Sequence, residues 1–226
     1  MKKLLLAATL FFIATSGHSQ ANYTGSYGYS LQPEGTPAKN EKASGPSGSL
    51  VLIRLEGNKY RFWLDVDKGW PSYNLGSTNG TITFKNDTAS FDNTWDGAKK
   101  SCILKFRISK NVVHITSQSA SGDCGFGNAV LADGSYTKWK VQPKLNNTWL
   151  KDQYFESPKV MTTANKTTLY KDENALYATA QTFAKGETLL NIAETEKTIY
   201  TEWFTSSGKF VYGWIKKTAC KMFDTN

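Results

Sequence analysis

The chain has 226 residues, with 27 Lys and Arg against 19 Asp and Glu, a formal net charge of +8. The basic residues are scattered, the densest clusters being pairs such as Lys99-Lys100 and Lys216-Lys217, which excludes the basic helices and Arg-rich runs of nucleic-acid binding. What remains is weak steering toward anionic polymers, on a chain long enough for one large or two small domains with real cores.

Lys2 and Lys3 precede the apolar stretch Leu4 to Ala14, and small or polar residues follow at Thr15-Ser16-Gly17-His18-Ser19. That order predicts a secretory signal peptide over 1–19, cut before Gln20 or Ala21, and an exported protein that is periplasmic or extracellular. The apolar run is well short of the roughly 20 residues that span a bilayer, and no later segment predicts a transmembrane span. Loss of Lys2 and Lys3 leaves a net charge of 25 − 19 = +6, with His114 as the remaining histidine.

Period-two alternation then dominates, with Gly, Asn, Asp and Ser at the breaks. Tyr23 to Leu31 is a first strand, and Leu50 to Leu55 a second. Gly57-Asn58 turns into Lys59 to Val66, where Tyr60, Phe62, Leu64 and Val66 share a face opposite Lys59, Arg61, Trp63 and Asp65. Asn86-Asp87 separates Thr81–Phe84 from Ala89-Ser90-Phe91. Cys102, Leu104, Phe106 and Ile108 alternate with Ser101, Ile103, Lys105 and Arg107, Lys110-Asn111 turns into Val112 to Thr116, and Asn128 to Tyr136 closes the set. About eight antiparallel strands in this order predict an all-β domain over 22–140, a closed or nearly closed up-and-down barrel or a sandwich.

Phe62-Trp63-Leu64, Pro71 to Gly76, Ser101 to Phe106, Cys124-Gly125-Phe126-Gly127 and Ala132 to Tyr136 together resemble a group of exported bacterial domains. Those are uncharacterised lipocalin-like or lysozyme-inhibitor-like barrels, so the resemblance implies a fold and no activity. In an exported β-domain Cys102 and Cys124 are the natural disulfide pair, closing a loop worth roughly 3 kcal/mol in the chain-entropy model. A zinc site is the competing use of two cysteines, but without nearby histidines they make a poor ligand set. Cys220 is left over, as a buried inert thiol or an intermolecular partner.

Residues 141–157 read as a linker, because Pro143, Asn146-Asn147 and Ser157-Pro158 break regular structure. Trp149, Tyr154 and Phe155 are too apolar for a free tether, so the segment is expected to pack on its neighbours and make the flanking domains a semi-rigid pair.

Over 158–226 the order of motifs is Val160-Met161-Thr162, Thr168-Leu169-Tyr170, Lys185-Gly186-Glu187, Glu202-Trp203-Phe204 and Gly213-Trp214-Ile215. This order resembles a bacterial SH3 domain, a small β-barrel used outside the cytoplasm as a binding module. The resemblance implies an SH3-like small barrel after the first one, and recognition of the cell envelope. The family's Asn-Val-Arg-Ser-Gly-Pro-Ser-like loop is replaced by Lys171 to Leu176, without Arg or Gly, so cell-wall peptide binding does not simply carry over.

Candidate ligand-binding residues are Tyr170, Tyr177, Trp203, Tyr212 and Trp214, because partly exposed aromatics offer rigid contact area with a polar tip. Filling the small barrel's core is the alternative use of Trp203 and Trp214. Trp63 and Trp70, with Tyr73 and Trp95, form a second aromatic set, Trp63 opposite the apolar face of its strand and Trp70 in a Gly-Trp-Pro loop at a barrel mouth.

Catalysis finds little support. A nucleophile needs an oriented base, and His114 sits mid-strand without a nearby acid. Exported SH3 domains often accompany cysteine peptidases, but those place His after the Cys, and Cys220 lies close to the end. A glycosidase needs two carboxylates at a set separation, and nothing in the sequence pairs Asp65, Asp67 or Asp92. No phosphate loop or dinucleotide glycine pattern occurs, and no cofactor or metal is expected.

The expectation is a non-enzymatic binding protein whose partner is peptidoglycan, its peptides, or an envelope protein. The alternatives are an inhibitor or immunity-type factor directed at a wall-degrading enzyme, or a lipocalin-like barrel around a small ligand. Bulky inward residues such as Phe62, Phe84 and Phe106 argue against an open interior. Denatured, unreduced protein is expected to titrate a single thiol, that of Cys220; three free thiols would exclude the disulfide.

Overall fold

A computed structural model describes residues 21–33, 35–36, 39, 42–118 and 121–223. Residues 1–19, where a signal peptide is expected, lie outside the described residues.

The alternating segments form the expected all-β structure. Strands β1 (Gly25–Ser30), β2 (Ser47–Arg54), β3 (Lys59–Asp67), β4 (Leu75–Thr83), β5 (Thr88–Asp92), β6 (Ile103–Ser109), β7 (Val112–Ser117) and β8 (Gly134–Lys138) build one antiparallel sheet in the order β4-β3-β2-β1-β8-β7-β6-β5. The sheet curls into a nearly closed barrel. At the seam between β4 and β5, beyond the Lys85–Thr88 backbone bridge at the turn, side chains replace a backbone ladder. Thr78 Oγ1 donates to Asn93 Oδ1 at 2.5 Å, and the Phe91 ring fills the space over Gly80, where a Cβ would stand 2.3 Å from it.

The inward residues pack into one core of Tyr27, Leu50, Tyr60, Phe62, Leu64, Phe84, Leu104, Phe106, Ile115 and Tyr136. The barrel is therefore filled with side chains, several of them aromatic pairs set edge to face, such as Phe62–Phe106 at 5.3 Å. Cys102 and Cys124 are joined by a disulfide, with Cα atoms 5.1 Å apart. The last barrel strand begins later than the alternation suggested. Residues 125–133 turn across the barrel end, held by the Val130 N–H on the Gly127 carbonyl and by Asp133 Oδ1, which accepts from the Ser117 N–H.

A short helix, α1 (Asn147–Gln153), occupies the segment read as a linker. Asn146 caps it by accepting from the Trp149 N–H at 3.0 Å, and Asn147 exchanges paired hydrogen bonds with the backbone of Phe204.

The remaining strands are β9 (Lys159–Thr162), β10 (Lys166–Tyr170), β11 (Ala178–Ala184), β12 (Thr188–Leu190), β13 (Ala193–Glu194), β14 (Thr198–Phe204), β15 (Phe210–Lys216) and β16 (Cys220–Met222). They form a five-stranded sheet, β11-β10-β15-β14-β13, and a three-stranded one, β12-β9-β16. Val160, Leu169, Phe183, Leu189, Ile199, Val211 and Ile215 form the core shared by both sheets.

A third apolar cluster joins the first barrel to α1 and the C-terminal strands. Val51, Ile53 and Trp63 project from the outer face of β2 and β3 and pack on Leu150 and Tyr154 of the α1 segment and on Leu190 and Phe204 beyond. Inside this seam lies an ion pair between strands distant in sequence. Arg61 Nε donates to Glu202 Oε1 at 2.7 Å, and the Glu202 side chain is 0% exposed. Tyr154 donates to Glu202 Oε2 at 2.9 Å, and Arg61 also donates to Asn79 Oδ1 at 2.7 Å and to the Tyr154 hydroxyl. Burial pushes the Glu202 carboxyl up from its ordinary value, against the pull of the Arg61 guanidinium.

Breaking one partner of such a pair strands a buried charge. Glu202→Gln is expected to destabilise the protein by about 3 kcal/mol in urea unfolding, whereas Arg61→Met with Glu202→Leu recovers to within ~1 kcal/mol of the parent. A single variant as stable as the parent would mean the pair does not hold the seam.

Candidate functional site

The alternation of β15 sorts its residues by face. Val211, Gly213 and Ile215 face the C-terminal core, so Phe210, Tyr212 and Trp214 face the other way. The pairing of β14 sets Phe204 beside Phe210, Glu202 beside Tyr212 and Tyr200 beside Trp214, and β10 adds Tyr170 next to Trp214. The result is an aromatic row across three strands. Its rings are 5.2 Å apart at Phe204–Phe210, 6.1 Å at Phe210–Tyr212 and 5.3 Å at Tyr200–Trp214. The Lys216 ammonium stands 5.3 Å from the Tyr170 ring at the far end. The row starts inside the seam at Phe204 and runs outward to half-buried Tyr212, Trp214 and Tyr170. Burial raises the Tyr212 hydroxyl above its ordinary range, and the charge of Glu56, from the β2–β3 turn, adds to the shift.

Gly213 makes the row possible. Its φ is +149°, and a Cβ there would stand 2.3 Å from the Tyr170 carbonyl oxygen. Only glycine lets β10 approach β15 closely enough to set Tyr170 beside Trp214.

The structure brings together three of the candidates read from the sequence, Tyr170, Tyr212 and Trp214, and separates the others. Trp203 points to the opposite face of β14. Its ring packs against the C-terminal core, edge-on to Phe183 at 6.4 Å, with the Lys151 ammonium 5.7 Å away. Tyr177 is 67% exposed at the end of the loop from Lys171, where Asp172 accepts from the N–H groups of Asn174, Leu176 and Tyr177.

Trp63, expected on a ligand surface, is 4% exposed. It lies on the outer face of its strand, and that part of the face is covered. Its ring meets Trp149 at 5.1 Å and Phe210 at 5.9 Å, with the Arg61 guanidinium 4.9 Å above it. Trp70 is half-buried over Gly35, and its backbone N–H donates to the Ser44 carbonyl at 2.8 Å. Tyr73 and Trp95 are exposed. His114 lies on β7 with Nδ1 2.9 Å from Ser135 Oγ.

Sequence reasoning missed Tyr200, which completes the row, and Trp139, exposed on the first barrel. The alternation Ile199-Tyr200-Thr201 carried the signal for the first; nothing in the sequence marked the second. Among the described residues no group of three His, Cys, Asp or Glu side chains could hold a metal ion. No family model, curated protein or solved structure matches the chain.

Gly213→Ala is expected to cost at least about 2 kcal/mol, because it forces both a strained φ and a clash with backbone. Chemical unfolding measures the loss, and a variant as stable as the parent would contradict the close approach of β10.

Proposed function

We propose that this chain is an exported, non-enzymatic binding protein of the bacterial cell envelope that holds peptidoglycan, or its peptides, against the row of Tyr170, Trp214 and Tyr212. The observation that carries this reading is the row itself. Half-buried aromatics in fixed register, with a polar tip on each tyrosine and Lys216 at one end, suit the stem peptides and sugar faces of an anionic polymer. The resemblance of 158–226 to bacterial SH3 domains points the same way.

The Cys102–Cys124 disulfide is compatible with an oxidising compartment outside the cytosol. No helix among the described residues is long and apolar enough to cross a membrane.

A second reading, inhibition of a wall-degrading enzyme by the first barrel, draws on exposed Tyr73 and Trp95, which give that barrel contact residues of its own. The small-ligand alternative fits least well, because the barrel interior is filled by Tyr60, Phe62, Phe106 and Tyr136.

Co-sedimentation with purified peptidoglycan is the direct test. The full chain is expected in the pellet, and Trp214→Ala is expected to reduce the bound fraction at least about fivefold, a hot-spot-sized effect. No pelleting of the parent protein at any salt would reject wall binding, and suppression of a muramidase by the same protein would establish the inhibitor reading.

A further inference from the structure

The outer face of the first barrel has a second half that the seam leaves uncovered. Strand register divides the face into rows. Ser26, Val51, Trp63 and Asn79 form one row, and Ile53, Arg61 and Thr81 the next; Val51, Ile53, Arg61 and Trp63 are buried in the seam. Two residues along each strand in the other direction, the row is Gly28, Ser49, Asp65 and Ser77. The row beyond it is Ser30, Ser47, Asp67 and Leu75. Apart from Leu75 these are glycine, serine and aspartate, residues that strands disfavour. Small side chains on a curved sheet leave a trough instead of a packed surface.

The trough holds about 650 Å³, within the roughly 300–1,000 Å³ of small-molecule sites. Trp139 walls it at the β1 end and Leu75 at the β4 end. Trp139 follows β8 and lies over Gly28, where a Cβ would stand 2.7 Å from its Nε1, yet it stays 44% exposed. Asp67 is committed to its own turn, accepting from the Gly69 N–H at 2.5 Å. The Asp65 carboxylate has neither an ion-pair nor a hydrogen-bond partner among the described residues. Its carboxylate opens to water at the trough mouth, while the surrounding walls desolvate it enough to raise its pKa.

We infer that this trough is a saccharide site and that its ligand is an amino-sugar oligosaccharide bearing a free ammonium group. A sugar ring has an apolar C–H face and a hydroxyl rim. Trp139 supplies the plane for the first, and the hydroxyls of Ser47, Ser49 and Ser77 can donate to and accept from the second. Asp65 supplies the charge an ammonium needs, and it repels uronic acids. The site is on a different sheet from the aromatic row, so it stands or falls apart from the wall-binding reading.

The test is a titration of the isotope-labelled full chain, followed by NMR at the Trp139 indole N–H and the amides of Ser49, Asp65 and Ser77. The probes are the trimers of glucosamine, N-acetylglucosamine and galacturonic acid. Saturable shifts are expected with glucosamine trimer, at least about tenfold weaker affinity with the N-acetyl form, as for loss of one charge-assisted hydrogen bond, and none with galacturonate. Trp139→Ala abolishes binding, and Asp65→Asn makes the first two trimers equal, while resonances far from the trough stay in place. Absence of shifts, equal affinity of the parent for the first two trimers, binding of galacturonate, or indifference of glucosamine binding to both substitutions would overturn the assignment.

Discussion

The Arg61–Glu202 pair constrains everything around it. A guanidinium and a carboxylate withdrawn from water each lose several kcal/mol of hydration, and only close geometry with further hydrogen bonds offsets that loss. Both conditions are met here. Tyr154 donates to the second carboxylate oxygen, Asn79 Oδ1 accepts a hydrogen bond from the guanidinium, and Val51, Ile53, Trp63 and Phe204 keep water out. Three separate stretches of chain must converge for this: strand β3 of the barrel, the α1 segment, and strand β14. The pair fixes register as well as proximity, because sliding β14 by one residue would turn Glu202 toward the opposite core.

That fixed register gives the aromatic row its place. Phe204 and Phe210 anchor one end in the seam, so Tyr212, Trp214 and Tyr170 emerge at a set angle beside the first barrel. The same covering divides the barrel's outer face into a buried apolar half and an open polar half. One interface thus shapes both surfaces to which binding is assigned, and neither depends on the barrel interior, which is packed solid.

Much of this was legible in the sequence. The alternation of Tyr60, Phe62, Leu64 and Val66 marked the inward face of β3, Gly57-Asn58 marked its hairpin, and Cys102 and Cys124 marked the disulfide. Local pattern failed where the cause was remote. Arg61 and Trp63 read as solvent-facing because their partners lie far along the chain, 141 positions away for Glu202. Trp203 and Trp214 are equally aromatic, and only their parity relative to a core not yet located separates them. Strand β4, Leu75–Thr83, is longer than Thr81–Phe84 suggested, because its sequence is Ser-, Thr- and Gly-rich and β3 supplies the pairing. Residues 147–153 read as broken coil, yet Asn146 caps a helix whose Leu150 and Trp149 pack into the seam.

The junction of β4 with β5 sets the barrel's mechanical character. A hoop bonded all the way round opens only by breaking a backbone ladder, whereas this one is fastened by a clasp. The Phe91 ring seats over Gly80, Thr78 reaches Asn93, and Asn93 in turn donates to the carbonyl of disulfide-bonded Cys124. Loosening that clasp exposes strand edges without unzipping any strand pair, so thermal breathing of the barrel is concentrated along one line. The disulfide lies beside that line and ties the segment after β7 to the strand entering β6, which limits how far the hoop can spread.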